Sequence, residues 1–297
     1  MASIETQIAS QGTALKAIDL YNNLEKDFIT AEMSDNWAQD MDPRANFLCE
    51  NFISRSMGLV CDFAENIERV YTAVFPSAKV MKEILLSSAC DAMLFVHHPM
   101  IWDIRQAPAI FQQMDTDLLS EFKARRISIY NLHVPLDHFG EYSTSVTCAR
   151  ALNIDIGKPF APYFGGLAGV FGTAPFETID DLKATFEKLV GHPVRCYAYG
   201  DRQIRNGKVA LVAGGGNSLN VLQEVASDNV NVFLTGITAK NDHSKEAHEF
   251  AEANGISILG GTHYSTEKFA CIALKGYFQG MNLPCKFLED TPIREDL

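Results

Sequence analysis

The feature that most constrains this chain is a rhythm read twice: strand, helix, strand, helix, strand. In the first half, Val70–Val74, Ala92–Val96 and Ile127–Tyr130 are short apolar runs, as expected of strands buried on both faces. Between the first two, Ser77 can cap a helix through about Ala89, with Val80, Met81, Ile84 and Leu85 at helical spacing. Asp115–Arg126 starts acidic and ends on Lys123, Arg125 and Arg126, the charge order a helix dipole favours, and offers Leu118, Leu119 and Phe122 for burial. The second half repeats the pattern. Val209–Ala213, Val230–Thr235 and Ile256–Leu259 read as strands, Ser218–Ala226 and His243–Ala253 as helices, the latter stopped by Asn254 and Gly255, and a last helix begins near Thr262. A helical crossover returns the chain to where the next strand starts, so neighbouring strands run parallel. The expected class is α/β, with two βαβαβ-type lobes and mostly parallel sheets.

The expected organisation is an N-terminal helical extension over 1–42, an N-terminal α/β lobe over 43–156, and a linking region with a C-terminal α/β lobe over 157–297. The extension carries Leu15, Ile18, Leu20, Leu24 and Phe28 at helical spacing, a face for the core or for a neighbouring subunit. The linking region, Gly157–Gly207, holds the run KPFAPYFGGLAG and one clear helix, Thr178–Val190, ended by Gly191. No apolar run reaches the ~18 residues of a membrane helix, and Met1–Gln11 lacks the basic and apolar parts of a secretory leader. The seven cysteines form no CxxC pair and sit mostly beside apolar residues. They read as buried thiols of a reducing compartment, so a cytoplasmic location is expected. The formal charge of −12 repels long polyanions, so neither nucleic acid nor a membrane is an expected partner.

Ligands of parallel sheets bind beyond the carboxyl ends of the strands. Four polar motifs fall there: FVHHPM, NLHVPLDHF, TGITAKNDH and GGTHYSTE. Five of the eight histidines, His97, His98, His133, His138 and His263, lie in the first, second and fourth. Imidazole with carboxylate suits zinc, iron or manganese. His97 and His98 converge only if the strand ends before them, which Pro99 favours. Glu267 follows His263 by one helical turn and shares its face. Asp137 is placed to be the second carboxylate. His97, His98, Asp137, His263 and Glu267 thus make a first shell for two divalent ions ~3.5–4 Å apart. The plainer readings are a structural histidine pair, a solvated His/Glu face and a turn aspartate after Pro135.

The blocks DAMLFVHHPMIW, IYNLHVPLDHFGEYSTSVTCARALNI and VFLTGITAK with HEFAEANGISILGGTHYSTEKFACIAL resemble the signature blocks of the Ngg-interacting factor three family. Its bacterial members are often labelled GTP cyclohydrolase 1 type 2 homologs. The resemblance spans roughly Met57 to Phe278. It implies a two-lobed α/β fold with two metals between the lobes, bound by His97, His98, Asp137, His263 and Glu267. It also implies a homo-oligomer, a toroidal hexamer. Three departures stand out: Thr262 where the family usually has glycine, SRSMGL in place of a DNVGL-like block, and no aspartate in AVFPSAK.

His133, four residues before Asp137, is the candidate for proton transfer or for orienting a ligand. His138 reads as peripheral. Gly214–Gly216 is a tight turn that needs glycine, or a backbone cradle for an anion. Asp242 and His243 line a cavity or cap the next helix. Two functions follow from the same site. One is a metal-dependent hydrolase acting on a small anionic, nucleotide-like or phosphoester-like substrate, with GTP ring opening implied by the family label. The other is a non-catalytic metal-handling or regulatory scaffold protein.

Overall fold

A computed structural model describes residues 14–41 and 46–297; the start of the expected extension, 1–13, lies outside the described residues. It is a mixed α/β fold with parallel sheet segments. In chain order the elements are α1 (Ala17–Phe28), α2 (Glu50–Arg55), β1 (Gly58–Cys61), β2 (Arg69–Ala73), α3 (Ala78–Leu86), β3 (Ala92–Val96), α4 (Thr116–Ala124), β4 (Ile127–Asn131), α5 (Val134–Asp137) and α6 (Thr144–Ala151). They continue with β5 (Asp155–Tyr163), β6 (Gly166–Thr173), α7 (Ile179–Val190), β7 (Arg195–Tyr197), β8 (Lys208–Val212), α8 (Leu219–Ser227), β9 (Val232–Thr235), α9 (Lys245–Asn254), β10 (Ser257–Gly260), α10 (His263–Gly280) and β11 (Cys285–Phe287).

Beside two small two-stranded sheets, the first main sheet has the order β11-β2-β3-β4-β1 and the second β7-β10-β9-β8-β6-β5. β2, β3 and β4 are mutually parallel, as are β8, β9 and β10. The expected cap is in place, Ser77 accepting from Val80, and Asp115, Thr178 and Ser218 also cap their helices, accepting from Asp117 and Leu118, from Asp181 and from Val221. Gly191 and Gly255 end α7 and α9 in the left-handed conformation that glycine adopts most readily.

Three features depart from the sequence reading. Residues 157–207 are more than a link: β5 and β6 form a long hairpin that joins β8 antiparallel, and β7 covers the opposite edge. β1 closes the first sheet antiparallel to β4. The second half also contributes a strand to the first sheet. α10 leaves the second sheet, crosses to the first and delivers β11 parallel to β2. Thr72 Oγ1 donates to the carbonyl of Cys271, which ties α10 to β2 on the way.

Both sheets are covered on both faces, which explains why their central strands are apolar throughout. α3 and α4 bury Val80, Met81, Ile84, Leu119 and Phe122 against one face of the first sheet. The other face receives α1 and the end of α10: Leu20, Leu24, Leu274 and Phe278 pack on Val70, Met93, Phe95 and Tyr130. The apolar face of α1 is thus satisfied within the chain, although Ile18 points to solvent. In the second sheet, α6 and α7 cover Val209, Leu211, Val232 and Leu234, while α8 and α9 cover Ala210, Val212 and Phe233. Among the described residues no helix is long and apolar enough to cross a membrane.

Leu24 is fully buried beneath the first sheet. Leu24→Ala removes that packing and leaves a cavity, so its urea midpoint should fall by the equivalent of about 2–5 kcal/mol. A loss no greater than that of an exposed substitution such as Ile18→Ala would show that α1 does not belong to this core.

Candidate metal centre

The site grows from strand ends. β3 stops at Val96, and the backbone N–H groups of His97 and His98 then donate to the carbonyls of Ala73 and Val74. The turn brings both imidazoles to one side, with ring centroids 4.3 Å apart. β4 stops at Asn131, and the short helix α5 carries His133 at its start and Asp137 at its end. β10 stops at Gly260, and α10 begins at once with His263 and, one turn later, Glu267. Three strand ends from two sheets therefore point their polar residues at one another.

The distances are short. Glu267 Oε2 is 2.9 Å from His98 Nε2, and Glu267 Oε1 is 3.0 Å from His263 Nε2 and 3.6 Å from His97 Nε2. Asp137 Oδ1 is 3.4 Å from His97 Nε2, and Asp137 Oδ2 is 3.4 Å from His133 Nε2. Three overlapping groups have ligand atoms within 4.8 Å of one another: His97, His98 and His133; His98, His263 and Glu267; His97, Asp137 and Glu267. All five residues read as ligands from the sequence thus fall in one cluster. His133, read there as a proton-transfer residue, joins it.

The cluster is buried, Glu267 being only 3% exposed, and among the described residues no lysine or arginine pairs with either carboxylate. Electrostatics therefore falls on the imidazoles. Burial would push the His97 imidazole down, but Asp137 and Glu267 outweigh it and hold it well above its ordinary value. Burial also works against His263, which Glu267 raises. His98 falls well below the ordinary value because burial dominates, aided by the charges of His97 and His133. Burial would raise Glu267, yet His263, His98 and His97 hold it well below the usual carboxylate range. A cation entering the cluster displaces protons from His97 and His263, so metal affinity rises with pH and falls on acidification.

The residues fit a bound divalent cation. His97 Nδ1 donates to the carbonyl of Leu132, which leaves Nε2 as the lone-pair nitrogen facing two carboxylates. That Nε2 is buried and has no hydrogen bond of normal geometry. Nitrogen and oxygen donors in this number suit zinc, iron or manganese. The buried histidine and glutamate groups can hold a metal ion.

Several residues that support the cluster carry no motif. Asp35, from the segment after α1, pairs with His133 Nδ1 at 2.9 Å. Thr144 Oγ1 donates to Asp137 Oδ1 at 3.0 Å. Asp296 Oδ2 accepts from the backbone N–H of His263, and its own carbonyl accepts from Thr238 and Ala239. Thr262 sits at φ 67° and ψ 151°, where a β-branched residue is strained. The glycine usual in the resembling family explains itself here, and this threonine compensates by capping α10 through Ser265. Sequence spacing holds no signal for Asp35 or Asp296, because each reaches the site from a distant segment.

The secondary candidates resolve differently. Gly214 has φ 69°, and a Cβ there would meet Glu267 Oε1 at 2.2 Å. Its N–H donates to Thr266 and that of Gly216 to Thr235. The turn needs glycine for close approach, and those two donors are not free for an anion. Asp242 and His243 are exposed and do not line the cavity. His138 lies outside the cluster; its Nε2 donates to the carbonyl of Tyr163 and its ring packs where Gly166 leaves room.

A cavity of 440 Å³ opens in front of the cluster, with His98, His133, Asp137, His263 and Glu267 among its lining residues. The histidine rings are boxed by aromatics. Phe75 stacks on His98 at 4.9 Å, and Trp37 lies 4.8 Å from His98 and 5.2 Å from His133.

Asp137→Asn should lose bound metal almost completely, because it removes a charge facing two imidazoles. Asp35→Asn acts only through His133 and should weaken affinity about 10–100-fold. Metal content of both folded variants, by elemental analysis, tests the ranking; full occupancy in Asp137→Asn would remove that residue from the ligand set.

Comparison with known proteins agrees with this architecture. The family model for Duf34/NIF3 (NGG1p interacting factor 3) matches residues 54–292. A relative from Pyrococcus abyssi named GTP cyclohydrolase 1 type 2 homolog is 30% identical over 225 residues, covering 74% of this chain and 82% of its own. A protein of the same name from Pyrococcus horikoshii is 29% identical over 217 residues, covering 71% and 81%. Among solved structures, protein ybgI, titled as of unknown function, superposes with a TM-score of 0.73 at 20% identity, covering 94% of this chain and all of its own. Reduced HcgD from Methanocaldococcus jannaschii gives 0.66 at 20% identity, covering 94% and 99%. At these identities the structural matches speak for the fold alone.

Proposed function

The chain belongs to the Duf34/NIF3 family, and from that premise we propose that it holds two divalent metal ions and acts as a hydrolase on a small anionic substrate. The observation that carries this reading is the pair of buried carboxylates, Asp137 and Glu267, facing the same His97 Nε2 from opposite parts of the chain. His97, His98, Asp137, His263 and Glu267 would hold the ions, with zinc, iron or manganese as the candidates. Bound metal would lower the pKa of a water and polarise the bond to be cleaved.

The chain's own residues supply the rest. Leu132, Thr144 and Asp35 fix His97, Asp137 and His133 from behind, so little reorganisation is needed on loading. His133 faces the cavity with Nε2 next to Asp137, and its Nδ1 is fixed by Asp35. It is the group we assign to proton transfer. Trp37, Trp102 and Phe111 line the cavity beside the cluster with ring surface that would limit water access. The curated relatives' name points to ring opening of a purine nucleotide as the first reaction to try. We further propose a cytoplasmic homo-oligomer, a hexamer, without nucleic-acid or membrane partners. The hexamer rests on family membership, since α1 covers its apolar face within the chain.

Freshly purified protein should contain two metals per chain by elemental analysis. With the metal found, it should turn over a member of a nucleotide and phosphoester panel, and Glu267→Gln should abolish both properties. Labile metal without turnover would favour metal handling instead, and a single metal per chain would overturn the dinuclear centre.

A further inference from the structure

The cavity in front of the cluster is aromatic and, apart from its histidines, carries only negative charge. Five rings line it: Trp37, Trp102, Phe111, Tyr163 and Phe164. Phe111 lies 4.7 Å from Trp37 and 5.8 Å from Trp102, so the three form one continuous wall. Tyr163 and Phe164, 4.8 Å apart, add two rings from the turn of the β5–β6 hairpin. The charged lining residues beside the histidines are Asp40, Asp137 and Glu267, and among the described residues that line the cavity none is a lysine or arginine.

This lining is ill-suited to a phosphate chain. Polyphosphate sites present lysine, arginine or an unengaged backbone cradle to several negative charges at once. Here the N–H groups of Gly214 and Gly216 already donate to Thr266 and Thr235. Beyond the cluster, a triphosphate would meet carboxylates, ring faces and a few neutral donors such as Asn36, Ser145 and Ser218, with no lysine or arginine to answer its several charges. A flat ring meets the opposite situation: every ring face stacks, whatever its substituents. A cavity of 440 Å³ lies within the size range of small-ligand sites.

We propose that this cavity takes a planar heteroaromatic ring system that carries a metal-chelating nitrogen or oxygen edge and no phosphate chain. The chelating edge rests on the metal-centre reading above, whereas the stacking wall does not. The ring lies against Trp37, Trp102 and Phe111, and its chelating edge faces His98, His263 and Glu267. Any anionic charge on the ligand is confined to that edge.

The chain has two tryptophans, Trp37 and Trp102, and both line this cavity, so intrinsic fluorescence reports on it directly. Metal-loaded protein is titrated with hypoxanthine, guanosine, GTP and tripolyphosphate, with metal content measured on the same sample. Hypoxanthine and guanosine should quench saturably, GTP should bind no more tightly than guanosine, and tripolyphosphate should neither quench nor compete. Phe111→Ala should weaken ring binding roughly 5- to 100-fold. Trp102→Leu, read through the fluorescence of Trp37, gives the same test if the first variant does not fold. GTP or tripolyphosphate binding more tightly than guanosine, or no quenching by either ring probe, overturns the proposal while leaving a metal-loaded centre standing. Absence of metal with the rings still quenching overturns the metal centre and its chelating edge but retains the stacking slot.

Discussion

A carboxylate with almost no access to water has to be answered by positive charge, and the answer to Glu267 organises this molecule. Removing an ionised carboxylate from water costs several kcal/mol unless partners replace the hydration. The usual partner, a lysine or arginine, is missing among the described residues. Glu267 is instead met by His263 from its own helix and by His98 and His97 from the first sheet. Three imidazoles cannot all be protonated at such spacing: Asp137 and Glu267 hold His97 up and Glu267 holds His263 up, whereas burial, aided by the charges of His97 and His133, depresses His98. A divalent cation relieves the conflict better than protons do, since it concentrates its charge where several lone pairs converge.

That requirement explains features that look unrelated to chemistry. Gly214 must lack a side chain because Glu267 occupies the space a Cβ would take. Gly236 is under the same constraint from the carbonyl of Gly214 and from Thr266. The long helix α10 has to begin at the end of β10, to place His263 and Glu267, and yet finish on the first sheet, where Phe278 packs edge-on to Phe95. One helix thereby fixes the distance between the two sheets whose strand ends build the site. Asp296 locks its first turn from the far end of the chain, an acidic group at a helix N-terminus where the dipole favours it.

What could be read from the sequence divides along the same physical line. Periodic burial and local capping are encoded within a few residues, so the six central strands, the Ser77 cap, and the turn glycines after α7 and α9 were legible. So was the cluster, because strand ends are where backbone ceases to dictate side-chain direction and His97–His98, Asp137 and His263–Glu267 all stand there. The β5–β6 hairpin was not legible. β5 is largely exposed and carries Pro159 and Pro162, and β6, though mostly buried, is broken by three glycines, so neither alternation nor an apolar run marks them. β11 is three residues long and acquires its identity only by pairing with β2. Asp35, Thr144 and Asp296 are ordinary polar residues whose role depends on contacts made across long sequence separations.

The distribution of charge gives the last constraint. The chain carries −12 overall, and the cavity adds Asp40, Asp137 and Glu267 to the same sign. Such a field draws cations in from solution and opposes polyanions at every distance within the screening length. A metal held by the cluster would sit beside Trp37, Trp102 and Phe111 at the wall of this cavity, where its charge would act mainly over the width of the cavity. Long-range attraction would then favour the metal, while selection of an organic ligand would fall to short-range forces: ring stacking, shape and direct contact with the cluster. A ligand of the proposed kind would bring a flat surface for the rings and a compact polar edge for the cluster.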